Sequence, residues 1–206
     1  MLMRKILGFA AFLLAAFTLT LVATPSQALE TGAPVPKFVV KDSTGKTHQL
    51  SDFKGKYVVL QWSNYGCPFD KKHYESNNMQ MLQKNAGGDV VWLTVFSSAP
   101  GKQGHVTADE ANDLLKKRDE APTAAIMDED GDLARMFNAK TTPHMFLIDK
   151  FGVLAYQGAI DDDSSANPSA TQGAHNYVMA ALADLRDGKP VTVPETRPYG
   201  CSIKFR

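Results

Sequence analysis

Among 206 residues, the two cysteines, Cys67 and Cys201, are the side chains best suited to chemistry. Pro68 follows Cys67 at once, and a polar stretch of helical composition runs on to about Asn85. Proline is favoured at the first position of a helix, so the spacing predicts Cys67 as the N-cap. Its sulfur would then face free backbone N–H groups and the positive end of the helix dipole, with Lys71 and Lys72 adding positive charge nearby. A thiol with a pKa of about 8.5 is only a few per cent ionised at neutral pH. Each of these effects favours the thiolate, the form that attacks disulfides and peroxides. The plainer reading, a small buried hydrophobe, fits most free cysteines. A cysteine set between an apolar strand and a Pro-led helix points instead to a reactive thiol.

Cys201 lies beside Gly200 in a Pro-punctuated tail that begins near Pro190 and is only lightly apolar, which predicts a segment freer to move than the core. Three roles stay open for it. It could resolve a sulfenate or mixed disulfide formed at Cys67. It could form a static bridge to Cys67, a staple worth roughly 5 kcal/mol in chain-entropy terms. It could also serve another partner, since connectivity does not follow from spacing.

The remaining candidates are weaker. Two cysteines exclude a Cys₄ zinc site, Cys67 and His73 make a poor metal pair, and neither metal nor cofactor is implied. His144 reads as a packing or surface histidine. Asp128, Asp130 and Gly131 superficially suggest a calcium loop, but aligning the glycine puts Ile126 and Phe137 at the first and last ligand positions. Asp161 to Asp163 read as a solvated loop, Trp62 as core and Tyr65 as a wall of the site. Serine-hydrolase, phosphate-loop and dinucleotide signatures are absent. The 22 basic residues balance 22 acidic ones, which argues against a nucleic-acid partner.

The elements that must position these residues follow a leader. Met1 to Lys5 is a short basic segment, Ile6 to Ala23 is uncharged and apolar, and Ser26-Gln27-Ala28 offers small residues for cleavage. Residues 1–28 are therefore expected to be a signal peptide, or an uncleaved anchor that would be the only membrane contact. Cleavage leaves 178 residues with 20 basic and 22 acidic side chains, in a periplasmic or otherwise extracytoplasmic compartment. There an unpartnered thiol is unusual.

Beyond the leader, Phe38 to Val40 and Thr47 to Leu50 form a hairpin around Asp42 to Gly45. Tyr57 to Trp62 and Val90 to Phe96 are apolar, β-branched runs expected of central buried strands. A capping box at Thr107 to Glu110 opens a helix. Thr123 to Met127, His144 to Ile148 and Val153 to Tyr156 supply further strands, with a short helix over Asp132 to Asn138. An amphipathic stripe from Tyr177 to Leu185 ends at Gly188 and Pro190. Strands alternating with helices predict an α/β fold, and the late hairpin makes its sheet mixed.

With Cys67 at a strand-to-helix junction and Thr142-Pro143 just before a late strand, the chain resembles the thioredoxin superfamily. Gly32 to Phe38, Leu50 to Lys56, Asp128 to Ala134 and Thr142 to Asp149 resemble its peroxiredoxin-like, redoxin branch, which includes the alkyl hydroperoxide reductase and thiol-specific antioxidant group. Gly200-Cys-Ser-Ile-Lys204 is similar to the tail of an exported subgroup. The resemblance implies a thioredoxin-like domain over 29–189 with an N-terminal hairpin extension, and a tail over 190–206 carrying Cys201. It also implies a cis Pro143 whose loop abuts Cys67. Two departures matter. Cys67-Pro68-Phe69-Asp70 lacks the second thiol of Cys-x-x-Cys, and Leu60 and Asn64 stand where peroxiredoxins carry Pro and Thr.

The expected activity is that of an exported thiol-dependent oxidoreductase acting on hydroperoxides or on protein disulfides and sulfenates. Cys67 would be the nucleophile, Thr142 and Pro143 would shape the groove, Cys201 would resolve, and an external reductant would close the cycle. The alternative is a non-catalytic binding or assembly module with a structural Cys67–Cys201 disulfide.

Overall fold

The computed structural model describes residues 29–204; the predicted leader lies outside the described residues. Five strands form the central sheet: β3 (Tyr57–Trp62), β4 (Val90–Phe96), β5 (Ala124–Met127), β7 (His144–Ile148) and β8 (Leu154–Gly158). Their spatial order is β5-β4-β3-β7-β8. β4 runs parallel to β3 and to β5, whereas β7 is antiparallel to both β3 and β8, so the sheet is mixed as expected. The predicted hairpin is β1 (Val39–Lys41) with β2 (Thr47–Gln49), a separate antiparallel pair.

The alternation of side chains along β3 divides the core into two layers. Val58, Leu60 and Trp62 face one way, packing with Phe146, Ile148 and the helix α4 (Asp132–Met136) through Leu133 and Ala134. Val59 faces the other way with Trp92, Met145, Leu147 and the helix α5 (Tyr177–Arg186) through Val178 and Leu182. Gln61, a polar residue in the middle of that apolar strand, is satisfied inside this second layer. It donates to the Tyr74 hydroxyl at 2.7 Å and accepts from Trp92 Nε1 at 2.8 Å.

Two expectations need correction. The helical stretch after Cys67 is two helices, α1 (Pro68–Glu75) and α2 (Asn78–Asn85), because Asn77 takes a left-handed conformation with φ of 61°. Asparagine is one of the few residues that tolerate that region. The predicted helix at Thr107 is α3 (Ala108–Lys117), with its capping box formed as expected.

The tail is the second correction. Instead of standing loose, it is paired and packed from Pro194 onward. Pro194 O and Thr196 N bond to the backbone of Gln157 on the edge strand β8. Thr196 Oγ1 lies 2.6 Å from the Tyr156 hydroxyl and accepts from Ala159 N at 2.9 Å. The last strand among the described residues is β9 (Cys201–Ser202), antiparallel to β6 (Thr141–Thr142), with Ile203 against the first core layer.

Candidate active site

The register of the sheet brings the site together. β3 and β7 pair with Trp62 opposite His144, so the loop after β3 and the residues before β7 leave the sheet side by side. One carries Cys67, and the other is Thr142-Pro143, whose peptide bond is cis. Pro68 occupies the start of α1, and Cys67 O accepts from Asp70 N at 3.1 Å and Lys71 N at 2.8 Å, so Cys67 is the backbone N-cap.

The Cys67 sulfur is fully buried and does not bond to the helix N–H groups. Its thiol donates to Thr142 O at 3.0 Å, and Cys201 N–H donates to the sulfur at 3.4 Å. The two cysteines, 134 positions apart, thus meet across the β6–β9 pair, in which Thr142 is opposite Cys201. Both are free thiols. Burial, then the hydrogen bond and charge of Cys67, push the Cys201 thiol up to about 11. Gly200 permits the approach: its φ is +129°, and a Cβ there would stand 2.1 Å from Thr142 O.

The neighbours differ from expectation. Lys71 pairs with Glu75 at 3.3 Å. Lys72 turns inward, with its ammonium on Asp163 O, 3.8 Å from Asp161 Oδ1 and 4.8 Å over the Tyr199 ring. Asn64, at the position where peroxiredoxins carry Thr, is a buried strut of the loop. Its Oδ1 accepts from Gly66 N at 2.9 Å and its amide donates to Gln103 at 3.2 Å. Tyr65 is exposed. Trp62 is buried core, as expected. His144 packs its ring 4.3 Å from Phe146 and accepts from Lys140 N at 3.1 Å, and burial lowers its pKa to about 3.

Three buried charged residues have surroundings that the sequence reading did not anticipate. Asp70, where a second thiol would stand, is fully buried; Ser63 Oγ and Asn64 N donate to its Oδ2 at 2.7 and 3.1 Å, and Oδ1 has no partner. Burial holds its carboxyl up at about 7, against the opposing bond from Ser63. Asp161, expected in a solvated loop, is buried and accepts from the Tyr199 hydroxyl. Lys72 is the third. A charge inside the first turn of a Pro-capped helix was the available signal for Asp70. Asp128, of the rejected calcium loop, caps α4 by accepting from Leu133 N and Ala134 N, both at 3.0 Å.

The sequence profile of the Redoxin family matches residues 30–173. The chain belongs to the Redoxin family. It is 29% identical over 133 residues to the thiol-disulfide oxidoreductase ResA of Bacillus thuringiensis subsp. konkukian, covering 63% of this redoxin and 69% of that protein. An uncharacterised conserved protein from Geobacillus kaustophilus shares the fold at a TM-score of 0.73 and 22% identity, over 86% and 93% of the two chains. The pneumococcal exposed lipoprotein thioredoxin of Streptococcus pneumoniae strain TIGR4 aligns at 0.52 and 25% identity, over 72% of this chain and 99% of its own. The thioredoxin-like fold and the redoxin branch are therefore as the resemblance implied, and the chain is a thiol-dependent oxidoreductase. The profile stops before α5 and the tail, so Cys201 and its partners lie outside the matched span.

Proposed function

We propose that this redoxin exchanges electrons with protein thiols and disulfides through a Cys67–Cys201 pair drawn from opposite ends of the fold. Cys67 is the nucleophile and Cys201 the resolving thiol, while Thr142 and Pro143 shape the groove between them. The observation that carries this reading is the Cys201 N–H on the Cys67 sulfur, which places the second cysteine beside the first without a Cys-x-x-Cys motif. The Cys67 thiolate attacks one sulfur of a substrate disulfide and the other sulfur leaves as a thiolate; Cys201 then attacks the Cys67 sulfur of the mixed disulfide, and the second substrate thiolate leaves. An external reductant then reopens the internal bond.

Two features support disulfide or sulfenate substrates over hydroperoxides. The ResA relative is named for thiol-disulfide exchange. The Asn64 amide is engaged by Gly66 of its own loop and by Gln103 of the segment between β4 and α3, with no hydrogen bond to the thiol. Export behind the 1–28 leader, to the periplasm or another extracytoplasmic space, agrees with the exposed location in the pneumococcal neighbour's name. No helix among the described residues is long and apolar enough to cross a membrane.

Peptide mapping after oxidation tests the pair. The internal Cys67–Cys201 bond should dominate at low protein concentration, because a tethered thiol has a high effective concentration. Cys67→Ser should abolish exchange, and Cys201→Ser should trap Cys67 as a sulfenate, mixed disulfide or dimer. Overoxidised Cys67 or Cys67-to-Cys67 dimers with Cys201 still free would overturn the resolving role, and hydroperoxide consumption matching the disulfide rate would restore the peroxidase reading.

A further inference from the structure

The Tyr199 side chain ends in a polar nest built by residues of the main body. α1 contributes Lys72 and His73, and the segment after β8 contributes Asp161; all three are buried. Asn78 Nδ2, which has only hydrogens to offer, lies 2.8 Å from His73 Nδ1. Nδ1 therefore accepts, and Nε2 carries the ring proton. That N–H points at the Tyr199 oxygen, 3.2 Å away, and the Tyr199 hydroxyl in turn donates a hydrogen bond to Asp161 Oδ1. The Lys72 ammonium lies over the phenol ring, and Phe69 meets the same ring edge-on at 6.3 Å.

These contacts are complementary in kind. A buried ammonium is costly unless every face has a partner, and the phenol face supplies one. The hydroxyl gives His73 its acceptor and Asp161 its donor. Tyr199 thus completes three buried polar groups of the body at once. Both cysteines hang from this nest. Cys67 caps the helix that carries Lys72 and His73, with Phe69 inside the Cys67-to-Asp70 turn, and Cys201 follows Tyr199 by two residues.

We propose that Tyr199 is the positioning residue that makes Cys201, and not a thiol from solution, the resolving partner of Cys67. The inference rests on the Cys67–Cys201 reading above. In the step it serves, Cys201 loses its proton to solvent and attacks the Cys67 sulfur of a mixed disulfide. The new Sγ–Sγ bond forms, the bond to the substrate breaks, and the substrate sulfur leaves with the electron pair and takes up a proton. Tyr199 touches none of the reacting atoms; it sets how often Cys201 is in place.

The test is equilibration of the full chain in glutathione buffers of defined reduced-to-oxidised ratio. Mass spectrometry then counts the internal bond against the glutathione adduct on Cys67, which yields the effective concentration of Cys201. Tyr199→Leu should lower that concentration at least tenfold and let the adduct accumulate. Tyr199→Phe, which keeps the ring and removes only the hydroxyl, should lower it about threefold and carries the comparison if the leucine variant fails to fold. A merely structural tyrosine would lower the melting temperature of reduced and oxidised protein alike and leave the effective concentration unchanged, which would overturn the positioning role alone. Failure of the unsubstituted protein to form the internal bond would overturn the Cys67–Cys201 reading along with it.

Discussion

Cys67 and Cys201 face each other, yet the regions that hold them are built on different principles. Cys67 sits where a central strand hands over to a helix, and that strand contributes side chains to both core layers. Its position follows from apolar burial spread over dozens of side chains. Cys201 stands on a stretch whose only regular structure is a two-residue strand, held by separate contacts at Thr196, Tyr199, Gly200 and Ile203. Burial of the first kind is cooperative and hard to undo locally. Discrete contacts can be loosened one at a time, which suits a thiol that must let substrate reach a buried partner.

If that contrast holds, damage to the body should cost global stability, and damage to the tail should cost pairing. The largest effect is expected for Phe146→Ala. Its ring lies 5.1 Å from Trp62 and 5.2 Å from Phe137 in the layer under the site. Truncating a buried phenylalanine costs about 3–5 kcal/mol. Urea unfolding should show that loss in reduced and oxidised protein alike; a loss confined to one redox state would break the contrast.

Asp70 gives a body prediction that depends on pH. Its carboxyl is held at about 7 in the folded chain and returns to about 3.8 on unfolding. Between those values the native state keeps a proton that the unfolded state has released, so stability falls as pH rises through the window. Asp70→Asn mimics the protonated acid. Its unfolding midpoint should change less between about pH 5 and pH 8 than the parent's, with residual slope from Glu120, which burial also holds at about 7. Equal slopes in the two proteins would mean that Asp70 is ionised in the fold.

In the tail, Gly200→Ala is the sharpest local change. A methyl group would meet Thr142 O in a backbone region that residues with a side chain rarely enter, at a cost of about 1–3 kcal/mol. That cost should fall on β9. The yield of internal Cys67–Cys201 bond in glutathione buffers should drop by about tenfold or more, while the urea midpoint of the reduced protein barely moves. A large fall in that midpoint would show that the tail is part of the cooperative body.

The same contrast explains what could be read from the sequence. The central strands announced themselves through apolar runs, α3 through its Thr107 capping box, and the N-cap role of Cys67 through Pro68. These signals are local. Meeting Thr142-Pro143 beside Cys67 needed the family resemblance, because register between β3 and β7 is not written in either segment. The break at Asn77 was hidden because asparagine is unremarkable in a polar helix until its φ is known. Asp161 read as a solvated charge, and Lys72 as a charge beside the thiol, because their partners lie elsewhere in the chain: Asp161 and Tyr199 are 38 residues apart. Discrete long-range contacts leave no periodicity, so the docked tail was read as a loose one.

The smallest effect is expected farthest from the thiols. Arg186, the last residue of α5, reaches Asp89 just before β4, at the end of the sheet opposite the site. Its Nη2 lies 2.5 Å from Asp89 Oδ1, and the same group donates to the backbone carbonyl of Ala86. The pair is about one-third exposed, so water and salt screen most of its attraction. Arg186→Met keeps the stem and removes the charge, and should cost about 1 kcal/mol or less, with the difference shrinking as salt is raised. The Cys67–Cys201 effective concentration should stay as it is in the parent. A change there would mean that α5 transmits strain from the far end of the sheet to the Tyr199 nest, with the segment joining Asp161 to Asn176 as the route to examine.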